Sequence, residues 1–345
     1  MFELVVMICL LAQPDTCRAQ LVPGMERQSL EECEALLPGL ALPATNVPAN
    51  ARDTGNATCR PMGPGLKLTQ VAPGVYVHRG EIAEPGPDNL GDVANIGVVV
   101  GDTSIAVIDT GGSRAVGEEL YRAIRALSPL PVSHVILTHI HPDHVFGAAV
   151  FAEAGATIVA HPGFIRAFRD RQDAYLTGFE RLIGPQGFLG THPVRPGEAA
   201  GEIDLGGRVL SIETWPAAHS TTDLTVVDRS TNTMFAGDLV FDRHLPALDG
   251  SLPGWLTSLD RLAATDAERI VPGHGAPALP LEAALEPMRR YLDTLQGDTR
   301  QALQNGERIG EAVEHIAQSE STEWELFDLF NTRNATAAFT ELEWE

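Results

Sequence analysis

The chain has 345 residues, 44% of them apolar and 20% charged, which is enough apolar material for a packed core and excludes a wholly disordered protein. Its formal charge is -22. The acids are spread along the chain and no basic stripe interrupts them, which argues against a nucleic-acid partner.

The first element is an apolar run from Leu4 to Ala12. It is too short to span a bilayer and has the length of a signal-peptide core, with Ala19 before Gln20 as a cleavage point. Residues 1–19 are therefore expected to leave as a signal, taking Cys9 and Cys17 and leaving no membrane span, with the mature protein periplasmic or secreted. The run lacks the usual basic start and carries Glu3 instead. Residues 20–65 contain many Pro, Asn, Gly and Thr and read as an extension packed on the main domain. Within it Met25 to Leu37 has helical spacing, stopped by Pro38. Cys33 and Cys59 remain there as either a disulfide or two unrelated thiols, with the disulfide preferred.

From Leu66 the pattern becomes regular. Leu66–Val71 and Val75–His78 read as a hairpin, and Ile96–Val100 and Ile105–Asp109 as two further strands. The spacing predicts a helix over 114–127, a buried strand over 132–137, a helix from Pro142 to about Ala154, a strand over 157–160 and a helix over 164–183. Strands follow at 209–213, 224–228 and 233–236, then a helix at 255–264 and a short strand at 269–271. From about Pro280 the chain reads as mainly helical. Strands in both halves with helices between them predict an α/β layered domain.

The densest chemistry lies at the end of the 132–137 strand. His139, His141, Asp143 and His144 fall within six residues. Imidazole nitrogen and carboxylate oxygen are zinc ligands at ~2.0–2.2 Å. Histidines two apart on a turn reach one ion, and the acid and histidine just beyond them reach a second. Four further residues each follow a strand: Asp109 in Asp-Thr-Gly-Gly, His219 in Pro-Ala-Ala-His-Ser, Asp238 in Ala-Gly-Asp-Leu and His274 in Pro-Gly-His-Gly. Taken singly, each is also compatible with a cap, a turn acid or a packed histidine. His244 lies in a loop after Asp238 and is expected to line a pocket or touch substrate. His78, His134, His161, His192 and His315 are read as structural or surface residues.

In this order the motifs resemble the metallo-β-lactamase superfamily, whose HxHxDH signature is matched by residues 138–144. The resemblance covers roughly residues 66–280 and implies a four-layer αβ/βα sandwich, with an N-terminal extension and a helical C-terminal segment at 281–345. It implies two zinc ions, with iron or manganese as other occupants. By that pattern His139, His141 and His219 hold the first ion, Asp143, His144 and His274 the second, Asp238 bridges them, and Asp109 orients a ligand. The implied chemistry is hydrolysis by a zinc-activated hydroxide, which Asp143 and Asp238 orient as the catalytic acids. Asp92–Gly97, Phe241–Ser251 and Arg333–Trp344 are similar to the quinoprotein relay system zinc metallohydrolases. That likeness implies an exported enzyme acting on a small molecule and linked to pyrroloquinoline-quinone-dependent oxidation, with a quinoprotein dehydrogenase as partner. Rival readings are a β-lactam hydrolase, a thioesterase of glyoxalase II type, an iron-dependent oxidative enzyme and a non-enzymatic quinoprotein accessory protein.

Overall fold

The computed structural model describes residues 1–38, 40 and 47–344. In chain order the elements are β1 (Phe2–Leu10), β2 (Cys17–Leu21), α1 (Leu30–Glu34), β3 (Ala51–Pro61), β4 (Leu68–Ala72), β5 (Val75–His78), β6 (Ile96–Val100), β7 (Ile105–Ile108), α2 (Arg114–Leu127), β8 (Val132–Leu137), α3 (Pro142–Val145), α4 (Ala148–Glu153), β9 (Thr157–Ala160), α5 (Phe164–Phe188) and β10 (Gly197–Glu198). The second half adds β11 (Glu202–Asp204), β12 (Val209–Thr214), β13 (Leu224–Asp228), β14 (Thr233–Phe241), α6 (Leu252–Ala263), β15 (Arg269–His274), α7 (Leu281–Asn305), α8 (Ile309–Ala312) and α9 (Phe327–Leu342).

Two sheets make the centre of the domain. One runs β10-β9-β8-β7-β6-β5-β4 and the other β11-β12-β13-β14-β15. Their inner faces meet through Val75, Val77, Val99, Ile108 and Ile136 against Leu210, Leu224, Val226, Phe235 and Val271. The outer face of the first sheet is covered by α2, α4 and α5 through Leu120, Ile124, Phe151 and Phe168. That of the second is covered by α6, α7 and α9 through Trp255, Leu259, Met288, Tyr291 and Phe339. The result is the helix–sheet–sheet–helix stacking that the family resemblance implies, within the α/β layered class expected from the alternating elements.

Local chemistry explains most boundaries that differ from expectation. The helix expected over 25–37 is only α1, because Ser29 forms a capping box with Glu32 and starts it late. The helix from Pro142 breaks into α3 and α4 at Gly147, which packs against Gly117 so closely that a side chain on Gly117 would meet the Gly147 carbonyl at 2.5 Å. Helix α5 continues past 183 through a kink at Gly184, whose φ is 80°. Helix α6 begins at Leu252, capped by the Ser251 hydroxyl.

The N-terminus departs most from expectation. Residues 1–19, read as a cleaved signal, are built into the fold as β1 and the first half of β2. β1 is the central strand of a third sheet, ordered β2-β1-β3. Its Glu3 is fully buried and takes Arg122 of α2 at 2.7 Å and Arg60 of β3 at 2.8 Å. Arg18 of β2 pairs with Glu118 at 2.6 Å, and the fully buried Arg114 holds Glu118 and Glu153. Cys9 and Cys17 form one disulfide and Cys33 and Cys59 another, the second being the bridge preferred from sequence. A central strand buried on both faces is a continuous apolar run, so its composition matches that of a signal core. Among the described residues no helix is long and apolar enough to cross a membrane.

Candidate metal centre

The candidate ligands come from strand ends on one edge of the paired sheets. β8 delivers His139 and His141, the turn into α3 delivers Asp143 and His144, the loop after β12 delivers His219, β14 carries Asp238 and β15 ends on His274. Two clusters result, one of His139, His141, His219 and Asp238 and one of Asp143, His144 and His274, with one ligand atom per residue lying within 4.8 Å of the others in each cluster. Glycines make room for this. Gly237 has a φ of 51°, and a side chain there would meet Thr138 Oγ1 at 2.6 Å. A side chain on Gly273 would fill the space taken by the Asp238 carboxylate.

Each imidazole is oriented from outside. His139 Nδ1 donates to Thr138 Oγ1 at 3.0 Å, and that hydroxyl donates to Asp109 Oδ2 at 2.8 Å. His141 Nε2 donates to Asp249 Oδ2 at 3.0 Å, and His144 Nδ1 to Asp109 Oδ2 at 2.8 Å. His219 Nδ1 donates to the Ala247 carbonyl at 2.6 Å and His274 Nδ1 to that of Val93 at 2.8 Å. This network assigns the tautomers: with one nitrogen donating outward, the other nitrogen of each neutral ring points a lone pair inward. His141 Nδ1 then lies 3.0 Å from His139 Nε2 and 2.9 Å from His219 Nε2, with no proton to share. Three such lone pairs are repulsive unless a cation sits among them, and tetrahedral ligands at ~2.0–2.1 Å would lie about 3.3 Å apart.

Asp238 lies between the two clusters. Its Oδ1 is 3.2 Å from His144 Nε2, and its Oδ2 is 3.4 Å from both His219 Nε2 and His274 Nε2. Asp143 Oδ2 is 3.4 Å from His274 Nε2 and 3.7 Å from His144 Nε2. His144 Nε2 and Asp238 Oδ1 are buried, and neither makes a hydrogen bond. Buried polar atoms are as a rule hydrogen-bonded, so two orphaned atoms facing each other among the candidate ligands are what a metal site would leave. The donor set, its geometry and the orphaned atoms all fit divalent metal.

Electrostatics agree. Burial holds His139 well below the ordinary histidine value, with His144 adding to the effect, and burial holds His219 at about 3. Burial opposes charge on His144 and His274, but Asp238 outweighs it and raises both. Burial would raise Asp238, but His144 and His274 hold it well below the carboxylate range. The site thus keeps an ionised carboxylate at Asp238 and neutral imidazoles at His139 and His219, and the negative charge that favours protons on His144 and His274 would equally favour a metal cation in their place.

All seven residues expected as ligands are brought together, and Asp109 stands behind His144 and Thr138. His244 is buried at the cavity wall, its ring centroid 4.8 Å from those of His274 and Phe330. Its Nδ1 donates to the Leu245 carbonyl at 2.7 Å, and burial, then His274, lowers it to about 4, so it is neutral at neutral pH. Sequence reading assigned no role to Asp249. Burial would raise its carboxyl, yet hydrogen bonds from His141 and Arg171 hold it at about 2. The one signal for it was an acid followed by glycine in the loop after β14. The carbonyls of Val93 and Ala247 left no signal, because any residue supplies one.

Asp249→Ala is expected to weaken metal binding at the His141 cluster by about 10- to 100-fold, the usual loss when a partner of a metal-bound histidine is removed. A competition titration against a chromogenic chelator measures this; unchanged affinity would remove Asp249 from the site.

Paired mixed sheets, flanking helices and an edge carrying two His/Asp clusters define a layered α/β fold with a candidate divalent-metal centre. The Lactamase_B model, described as the metallo-beta-lactamase superfamily, matches residues 90–274, more than half of the chain. The chain belongs to the metallo-β-lactamase superfamily, whose members are usually hydrolases. It is 25% identical over 230 residues to an Aspergillus fumigatus protein named atrochrysone carboxyl ACP thioesterase, covering 63% of each chain. It is 31% identical over 180 residues to metallo-beta-lactamase domain-containing protein 1 of Mus musculus, covering 50% of this chain and 59% of that one. The chain thus spans less than two thirds of the length of these curated relatives. In fold it is similar to a metallo-beta-lactamase from Pontibacter korlensis, with a TM-score of 0.53 and 20% identity over 66% of this chain and 99% of the other. It is also similar to a metallo-beta-lactamase family protein from Thermus thermophilus, with a TM-score of 0.59 and 22% identity over 80% of this chain and 94% of the other.

Proposed function

We propose that the protein is a dizinc hydrolase of a small extracytoplasmic molecule. The observation that carries the reading is the set of inward lone pairs around Asp238, with His144 Nε2 and Asp238 Oδ1 left orphaned. His139, His141 and His219 would hold one ion, Asp143, His144 and His274 the other, and Asp238 would face both. Two bound ions supply Lewis acidity and lower the pKa of water from 15.7 to about 7. The chain's own residues do the rest. Asp143 and Asp238 are the acceptors available to take a proton from the attacking water and align its oxygen. That oxygen bonds to the electrophilic carbon, the bond to the leaving group breaks, and the proton passes to the leaving group. Val93 and Phe241 are among the apolar walls of the cavity, of about 360 Å³.

Export is supported by the Cys33–Cys59 disulfide, a kind of bridge that persists in oxidising compartments. The link to quinoprotein oxidation, with a quinoprotein dehydrogenase as partner, rests on the resemblance of residues 92–97, 241–251 and 333–344. A second reading, thioester hydrolysis, is favoured by the thioesterase name of the Aspergillus fumigatus relative.

The test is metal analysis of the purified protein with a panel of nitrocefin, a thioester and an aryl ester. The expected outcome is two equivalents of zinc and turnover of at least one probe, lost to a chelator and restored by zinc. Turnover indifferent to chelation would refute the proposal, and bound iron would turn it toward oxidative chemistry. Activity confined to the thioester would select the second reading.

A further inference from the structure

The wall of the cavity opposite the metal ligands is not made by the matched family region. It comes from α9, which contributes Phe330, Arg333 and Asn334. Asn334 fixes this helix to the loop above the site. Its Oδ1 accepts from the Leu248 amide at 2.9 Å, and its Nδ2 donates to the Pro246 carbonyl at 2.6 Å and to the Tyr291 hydroxyl at 2.8 Å. The Arg243 carbonyl also accepts from the Glu325 amide at 2.7 Å, so the strap before α9 is tied to the same loop. Arg333 therefore stands on an anchored element, the arrangement that holds a binding group in place.

Arg333 is exposed at the rim, with its guanidinium carbon 5.7 Å from the Phe330 ring centroid. Among the described residues no carboxylate forms an ion pair with it. The other guanidiniums close by differ: Arg171 is paired with Asp249 and Arg243 with Glu325. What sets Arg333 apart from these two is its place: it lines the cavity with no carboxylate partner among the described residues. Below it the cavity is lined by apolar side chains, Phe179, Leu182, Leu248 and Phe330, and Leu182 is 38% exposed. Glu84 lies on the same cavity's rim and is solvent-exposed, so its charge is screened.

We propose that this wall recognises a monoanionic amphiphile, a small molecule with an apolar or aromatic body and one carboxylate, with Arg333 binding the carboxylate and Phe330, Phe179 and Leu248 holding the body. This rests on reading the metal cavity as the substrate site. A guanidinium matches a carboxylate fork to fork. A single cation amid so many acids suits one negative charge and disfavours a polyphosphate.

The experiment measures binding to the zinc-loaded full chain by calorimetry, using phenylbutyrate, phenylbutyramide and phenylbutylamine. The carboxylate is expected to bind about tenfold tighter than the other two, the scale of one partly screened charge-assisted contact. Arg333→Gln should erase that preference with bound zinc unchanged, and Arg333→Lys should retain part of it. A preference that survives Arg333→Gln would assign the carboxylate to the metals and overturn the proposal. So would tighter binding of the amine, equal binding of all three, or no measurable binding of any. Because the readout is binding, loss of the hydrolase reading would show separately, in metal content and turnover.

Discussion

Asp238→Ala is expected to reduce turnover of the most responsive substrate about a thousandfold, about 4 kcal/mol of barrier, and to leave at most one tightly held metal. Asp238 is the only carboxylate among the described residues that faces both ligand clusters, at 3.2 Å from His144, 3.4 Å from His219 and His274 and 3.7 Å from His139. Alanine removes the one anion shared by both clusters and leaves Asp143 alone to offset a second cation. Asp238→Asn tests charge at nearly constant shape and should move in the same direction. Asp238→Glu should also fail, because Gly273 is packed against the carboxylate and leaves no room for another methylene. Metal analysis, steady-state kinetics and circular dichroism together decide the matter. A folded variant holding two metals at native turnover would remove Asp238 from the machinery.

Glu3→Ala is expected to lower the unfolding free energy by about 3 kcal/mol or more. The mutation leaves Arg122, at 8% exposure, without its partner at 2.7 Å and removes the Arg60 pair. Breaking a buried pair strands a charge, whereas replacing both partners by apolar residues is often neutral. Glu3→Leu combined with Arg122→Met should therefore recover part of the loss. Denaturant titrations at equal slope measure both. The result also decides the fate of the N-terminus. If the mature protein begins at Gln20 by mass spectrometry, or if Glu3→Ala is neutral, β1 is not part of the working fold.

Much of the centre was legible in the chain. The short β8–α3 segment places His139, His141, Asp143 and His144 by local geometry, so spacing alone indicates a metal site. The strands over 96–100, 132–137, 157–160 and 224–228 were legible because largely buried strands are short apolar runs bounded by turn residues. The limits are equally physical. Asp249 lies 108 residues from His141, the Val93 carbonyl 181 from His274, and Asn334 86 from Leu248, and a pattern in one segment says nothing of partners brought there by folding.

Local spacing and hydrophobic period were thus enough to indicate a candidate metal centre and a layered α/β fold, and the family resemblance implied its full ligand set. Folding was needed to establish which protons the histidines donate outward, the Asp249 and backbone partners that receive them, and the wall that α9 builds with Phe330 and Arg333. The N-terminus belongs with these. The run from Leu4 to Ala12 has the same composition whether it leaves as a leader or stays as a central strand, and only the buried pairing of Glu3 with Arg122 separates the two. Hydrophobic burial is non-directional and can be read from composition. Hydrogen bonds and ion pairs are directional, and their partners exist only once the chain is folded.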